Sequence, residues 1–96
     1  MAPDVPACFE VVVHKQVHRR LRNMLPKHQK QIVGRIADLE GTPRPHDSIQ
    51  LKGERSGFRL DEGEYRILYD VDYDARIVHV RLLMQRGEGY SRRRAL

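Results

Sequence analysis

Ninety-six residues suffice for one small domain, 1–96, with a single two-layer core, and they exclude a second domain or a deep multi-substrate cleft. The net charge of +5 and the sequence pI of about 9.8 favour an anionic partner, with nucleic acid as the first candidate. The single Cys8 excludes an internal disulfide, and the absence of a long apolar stretch or a signal-type start predicts a cytoplasmic protein without membrane contact.

The first half of the chain is typical of one strand followed by two helices. Residues 8–13 are β-branched and aromatic, which predicts a strand. Apolar side chains at intervals of three and four predict helices over 15–24 and 27–40. Leu25–Pro26 separates the two, since proline disfavours helix at the preceding residue and suits the first turn of a new helix. Gly41 is expected to close the second helix, and the two helices should be antiparallel.

The second half of the chain is typical of an antiparallel sheet. A polar, proline-containing connection over 41–49 precedes a change of apolar periodicity from 3.6 to 2. This alternation predicts strands over 56–61, 65–72 and 76–84, joined by turn-like segments into a meander. A short basic tail, 91–96, follows. Helices followed by such strands predict an α+β fold.

Alternation assigns the side chains of these strands to two faces. Phe58 and Ile67 are predicted to point into the core, so Arg59 and Arg66 are predicted to project from the opposite, open face. Arg81 shares parity with His79, which favours the open face, but apolar Ile77 and Leu83 share the same parity, so parity does not assign its face. The inward face of the last strand is expected to consist of Val78, Val80, Leu82 and Met84.

Charge is segregated along the chain. Between His14 and Ile36 there are seven Lys or Arg residues and no acid, whereas Glu54 to Asp74 holds seven acids against three arginines. Basic residues dominate again after Asp74. A pattern of this kind predicts separate basic and acidic surface regions, and the basic helices are candidates for RNA contact.

The stretch 51–90 contains four segments of a known pattern, Leu51-Lys52-Gly53, Gly57-Phe58-Arg59-Leu60, Gly63-Glu64-Tyr65-Arg66-Ile67-Leu68-Tyr69 and Arg86-Gly87-Glu88-Gly89-Tyr90. In these segments it resembles the RelE/ParE superfamily of toxins from bacterial and archaeal toxin–antitoxin pairs. Asp61 departs from the pattern, since many members carry a second basic residue there. On the face shared with Arg59, its carboxylate is expected to pair with Arg59 or Arg66 and to slow a nuclease. If the Asp61 side chain points into solvent instead, it should have no effect on the cleavage rate.

The resemblance implies a fold and an activity. The fold is a small, mostly antiparallel four-stranded sheet with the two helices packed on one face. The activity is metal-independent, ribosome-dependent cleavage of messenger RNA without a cofactor. The partners are the ribosome, the message and a cognate acidic antitoxin, and operator DNA is reached only indirectly through the antitoxin complex.

The resemblance also suggests residue roles. Arg66 and Arg86 would clamp the phosphate and the transition state, because a guanidinium fork binds two phosphate oxygens and stays charged. Arg59 would assist as a cation or proton donor, and Tyr90 would act as a base or stack on a nucleobase. Further candidates are, for substrate contact, Lys52 and Arg81 and, for ribosomal RNA contact, Lys15, Arg19, Arg22, Lys27 and Lys30.

Other interpretations are compatible with the sequence. The chain could be a ParE-like gyrase inhibitor without nuclease activity, which Asp61 favours, or a decayed toxin that only binds its antitoxin. The strand arginines could be solvated residues paired with nearby acids. His14 and His18 have the i, i+4 spacing of a metal pair, but no third ligand follows and no metal site is expected. His79 is either a proton-transfer group or a surface histidine.

Overall fold

A computed structural model describes residues 8–88, which form two helices and five strands. Neither helix is long and apolar enough to cross a lipid bilayer. Tyr90 and the basic tail 91–96 lie outside the described residues. In chain order the elements are β1 (Glu10–Val13), α1 (Lys15–Arg22), α2 (Pro26–Asp38), β2 (Ile49–Gln50), β3 (Gly57–Glu62), β4 (Tyr65–Asp72) and β5 (Ile77–Gln85).

The strands form one sheet in the order β1-β5-β4-β3-β2. β1 pairs with β5 in parallel, and the other neighbours are antiparallel. The predicted α+β class and the meander of β3, β4 and β5 are confirmed, but the sheet has five strands instead of four. The additional strand, β2, has only two residues, opposite Phe58 and Arg59, and so few residues cannot show a sequence periodicity.

The core lies between the helices and one face of the sheet. The helices contribute apolar side chains at helical spacing, and the strands contribute every second residue, so both periodicities converge on one apolar layer. Its fully buried members include Val17, Ile32 and Leu39 from the helical half and Leu60, Ile67, Tyr69, Val78, Val80 and Leu83 from the sheet.

A bulge in β5 changes which of its side chains reach this core. Tyr69 pairs with Val80 but Leu68 pairs with Leu82, so Arg81 is an extra residue in the ladder. The extra residue shifts the alternation by one position, which directs Leu83 toward the core in place of Leu82 and Met84. The predicted inward position of Leu82 and Met84 is therefore wrong, although that of Val78 and Val80 is confirmed.

The helix boundaries follow local sequence chemistry. Pro26 is the first residue of α2, as its fixed φ favours. The Gln29 side chain donates a hydrogen bond to the Leu21 carbonyl at 2.9 Å and so satisfies an acceptor at the end of α1. α2 ends at Asp38, and the Leu39 N–H donates to the Ile36 carbonyl in a tightened last turn. The expectation that Gly41 closes this helix is thus wrong.

Beyond the end of β1, the Gln16 side chain makes hydrogen bonds to the backbone of β5 in place of a neighbouring strand. β1 pairs with β5 only as far as Val13 and Val80. Beyond that point the Gln16 amide nitrogen donates to the Leu83 carbonyl at 3.2 Å, and the Leu83 N–H donates to the Gln16 amide oxygen at 3.0 Å. Both backbone groups of the buried Leu83 are satisfied in this way, which fixes the start of α1 against β5.

Gln16→Ala is expected to lower the free energy of unfolding by about 1–3 kcal/mol, because a part-buried backbone donor and acceptor lose their partner. Chemical denaturation of the purified domain measures this difference. Gln31→Ala, at an exposed position of α2, is the matched control and should change stability by less than about 0.5 kcal/mol. Equal stability of the two variants would contradict the structural role of Gln16.

Candidate active site on the open face of the sheet

The face of the sheet away from the helices carries the predicted arginines. Arg59 in β3 and Arg66 in β4 alternate with core residues, so both side chains lie on the open face as predicted. Asp61 shares this face and is the direct cross-strand partner of Arg66. The three side chains are 30 to 35% exposed, which leaves them accessible to a ligand.

Asp61 forms ion pairs with both arginines. Its Oδ1 lies 3.6 Å from Nε of Arg59 and 3.4 Å from Nε of Arg66. All three atoms are buried and none has a hydrogen bond, so the contact is mainly coulombic. The expectation that Asp61 faces Arg59 and pairs with the arginines is confirmed, and the alternative in which it points into solvent is wrong. We call Arg59, Asp61 and Arg66 the charged triad.

An apolar floor lies beside the charged triad. Leu68 is the cross-strand partner of Arg59, and Met84 is that of Arg66. Both lie on the open face, yet they are only 4% and 7% exposed. Apolar neighbours of this kind suit the aliphatic stems of arginine and lower the local dielectric response, which strengthens the interaction of the guanidinium groups with an anion.

Arg86 extends the basic character at the same end of the sheet. It follows β5, and its N–H donates to the Glu64 carbonyl at 2.7 Å, one step beyond the pairing of Tyr65 with Gln85. Its side chain is exposed and has no ion pair within residues 8–88. Arg86 therefore lies beside the turn that joins β3 to β4. Tyr90 falls outside the described residues, so its predicted place near the arginines stays a prediction.

Arg81 and Lys52 occupy other parts of the structure. Arg81 is the bulge residue of β5, and its guanidinium forms an ion pair with Asp70 of the adjacent strand. Lys52 is exposed in the turn between β2 and β3, near Gly57, whereas Asp61 lies toward the other end of β3. Neither side chain has a described contact with the charged triad, and their substrate roles stay predictions.

Basic side chains cover the outer surface of the helices. Two arginines of this region form ion pairs. Arg20 pairs with Glu88 at 2.6 Å, and Arg35 pairs with Asp47 at 2.6 Å and with Glu62 at 3.2 Å. The five candidates for ribosomal RNA contact are all exposed and show no ion pair to a described residue. They are Lys15, Arg19 and Arg22 on α1 and Lys27 and Lys30 on α2.

The His14 ring contacts that of His79 and not that of His18, the histidine that its i, i+4 spacing in the sequence suggests. His14 Nε2 lies 3.4 Å from His79 Nδ1, with the two rings edge to face. This contact crosses from the start of α1 to β5, whereas His14 and His18 share only helical spacing. Within the described part of the chain, no group of three His, Cys, Asp or Glu side chains converges on one point.

The structure also distinguishes among the tyrosines. Burial raises the pKa of the Tyr69 phenol to about 12, and the side chain is 1% exposed within the core, so a substrate on the open face cannot reach it. Tyr65 packs against the core and lies 5.7 Å from the His28 ring, centroid to centroid. Both side chains therefore contribute to packing, and neither belongs to the charged triad.

Comparison with known proteins finds RelE toxins both by sequence and by structure. The chain is 31% identical over 86 residues to a protein of Methanocaldococcus jannaschii named as a RelE1 toxin, covering 86% of this chain and 96% of that one. The crystal structure of the archaeal RelE–RelB complex from Pyrococcus horikoshii superposes with a TM-score of 0.76 at 28% identity, over 85% of this chain and 99% of that chain. Isolated Escherichia coli RelE shares the fold, with a TM-score of 0.71 at 15% identity, over 91% and 92% of the two chains. No protein-family model matches the chain.

Proposed function

This chain belongs to the RelE family of toxins, and from that premise we propose that it is an endoribonuclease that cleaves messenger RNA on the ribosome and so inhibits translation. The observation that carries the proposal is the position of Arg59 and Arg66. They lie on the open face of the sheet with Asp61 between them, and Arg86 lies at the same end. Clustered cations at an accessible surface are suited to a phosphodiester.

The proposed reaction is attack of the ribose 2′-OH on the adjacent phosphate. A 2′-OH must be aligned in line, its proton must be accepted, the leaving 5′-oxygen must be protonated, and extra negative charge must be stabilised. Arg66 and Arg86 supply the stabilisation, because a guanidinium binds phosphate oxygens in a planar fork and stays charged. Arg59, on the same face as Arg66, assists as a further cation or as the donor of the proton that the leaving 5′-oxygen takes up.

The proton acceptor is assigned to Tyr90 as part of this proposal. A phenol has an ordinary pKa of about 10, so it needs nearby cations to act as a base and otherwise stacks on a nucleobase. The burial of Tyr69 removes the main alternative phenol of the sheet from this role.

The ribosome would supply the substrate geometry that so small a domain lacks. We assign docking on ribosomal RNA to the outer surface of the helices, where exposed Lys15, Arg19, Arg22, Lys27 and Lys30 have no described ion pair. Basic side chains of this kind contact RNA phosphates without reading sequence. Arg81 and Lys52 are further proposed contacts to the message.

An acidic antitoxin is the proposed protein partner. The relatives from P. horikoshii and E. coli are described as RelE–RelB and RelBE toxin–antitoxin complexes. The basic helices and the open-face arginines of this chain would attract an acidic, initially disordered segment over long range. Operator DNA would be contacted only through that complex.

Association with the cognate antitoxin is expected to slow as salt rises, because long-range attraction between opposite charges is screened within about 8–10 Å at 0.1–0.15 M ionic strength. Stopped-flow fluorescence across a salt series measures the association rate. A rate that stays flat from low to high salt would show that apolar contacts alone drive recognition. A Lys27→Gln, Lys30→Gln variant should show a weaker salt dependence than the unmodified toxin.

Addition of the purified protein to a translating extract, with mapping of message ends, tests the proposed activity. Cuts confined to ribosome-bound message are the expected result. A second candidate, inhibition of DNA gyrase, is favoured by Asp61, which lowers the positive charge of the charged triad. Gyrase-mediated DNA breaks without message cuts would select that candidate.

A further inference from the structure

Asp61 already occupies the space between two cations of the candidate site. One carboxylate oxygen, Oδ1, is shared by the Nε groups of Arg59 and Arg66. No described residue accepts a hydrogen bond from the terminal Nη groups of these two arginines. The charged triad thus has the arrangement of an anion site with an internal carboxylate near its centre.

The geometry of these ion pairs distinguishes Asp61 from the carboxylates that hold an arginine by a short hydrogen bond. Arg20 donates a hydrogen bond to Glu88 and Arg35 donates one to Asp47, both at 2.6 Å, and Arg81 donates one to Asp70. The contact of Glu62 with Arg35 Nε, at 3.2 Å, contains no hydrogen bond. The contacts of Asp61 are longer, at 3.4 and 3.6 Å, and contain no hydrogen bond. A carboxylate that positioned the arginines for catalysis would be expected to hold them by directed hydrogen bonds.

We propose that Asp61 is an autoinhibitory residue, an internal competitor that a substrate phosphate must displace from Arg59 and Arg66. The inference rests on the proposed function and adds a regulation of the same site. Two arginines and one aspartate leave the charged triad with a formal charge of +1 instead of +2. The carboxylate both shields the guanidinium groups and repels the phosphate, so RNA binds this end of the sheet more weakly and reacts more slowly.

Binding of inorganic sulfate, measured without ribosome or RNA, tests the competition directly. The NMR signals of the Arg59 and Arg66 Nε–H groups report occupancy at the site itself. Asp61→Asn keeps the shape of the side chain and removes its charge, so it is expected to tighten sulfate binding by about tenfold, a value reduced by solvent screening at this partly exposed position. Asp61→Ala serves as a second variant with the same expected direction.

Asp74→Asn is the matched control. Asp74 lies exposed in the turn between β4 and β5, at the far end of β4 from Arg66, and the substitution removes the same charge. It should leave sulfate affinity within about twofold of the unmodified protein, because exposed charges farther apart than a Debye length are screened. An equal increase in sulfate affinity in Asp74→Asn and Asp61→Asn would show a general charge effect and would overturn the proposal.

Single-turnover cleavage of ribosome-bound message separates this inference from the proposed function. Asp61→Asn and Asp61→Ala are expected to cleave about tenfold faster than the unmodified protein. Tighter sulfate binding without any message cleavage would support the internal competitor and refute the nuclease. Unchanged sulfate binding, or slower cleavage by both Asp61 variants, would overturn the inhibitory role, and slower cleavage would make Asp61 a participant in the reaction.

Discussion

Alanine at Arg66 is expected to lower the single-turnover rate of message cleavage by about 10²-fold or more, which is the usual effect of removing one charge-stabilising group from a transition state. Two consequences of the structure combine here. The substitution removes a guanidinium from the open face, and it leaves Asp61 to pair with Arg59 alone. The formal charge of the charged triad then falls from +1 to 0, so phosphate is no longer attracted there.

Two further variants show whether this loss is specific. Arg86→Ala, at the same end of the sheet, should cause a comparable loss without unfolding the domain, since Arg86 is exposed and lies outside the core. Arg55→Ala removes the same charge ahead of β3, at the opposite end from Asp61, and should retain activity close to normal. Normal cleavage rates in both Arg66→Ala and Arg86→Ala would refute the site assignment.

Ile67→Ala is expected to lower the free energy of unfolding by about 2–5 kcal/mol. Ile67 is 0% exposed and lies in β4, which is flanked by β3 and β5 in the sheet. Deletion of the side-chain methyl and methylene groups loses their transfer free energy and leaves a cavity that the surrounding layer fills only in part. Urea denaturation followed by circular dichroism measures the change.

The matched control for this stability prediction is Ile49→Ala. Ile49 lies in the edge strand β2 and is 45% exposed, so the same chemical deletion should cost less than about 0.5 kcal/mol. A similar cost at both positions would contradict the assignment of Ile67 to the core between sheet and helices.

The faces of β3 and β4 were predictable from the sequence because their alternation is uninterrupted. Phe58, Leu60 and Ile67 alternate with Arg59 and Arg66, and the structure places the two sets on opposite faces. The same two-residue spacing predicted that Asp61 shares the open face with Arg59. In a strand without a bulge, residue parity alone therefore predicts which side chains lie on the face that carries the site.

The last strand shows where parity fails. An extra residue at Arg81 shifts Leu82 and Met84 to the open face. Leu82, Leu83 and Met84 are apolar at both parities, so the sequence does not indicate which of them point into the core. The consequence for the site is direct, since Met84 then lies beside Arg66 as part of the apolar floor. Leu68 shares parity with Arg66 and so could be placed on the open face from the sequence, but Met84 could not, because its face depends on the bulge in β5.

Contacts between residues far apart in the chain could not be predicted from the sequence either. Gln16 occupies a polar helix start, and its bond to the Leu83 backbone depends on where β1 ends relative to β5. His14 was paired in sequence with His18 by helical spacing, yet its ring contacts His79. Each contact joins residues more than sixty positions apart, beyond the range of local patterns.

A message with a single 2′-deoxynucleotide at the mapped cut site, bound to programmed ribosomes, tests the proposed chemistry most directly. Attack by the 2′-OH, assisted by the arginines of the open face, requires that hydroxyl. Cleavage at the substituted position should be abolished, while an all-ribose message is cut at the normal rate. Cutting of the 2′-deoxy message at the same position and rate would contradict the proposed mechanism.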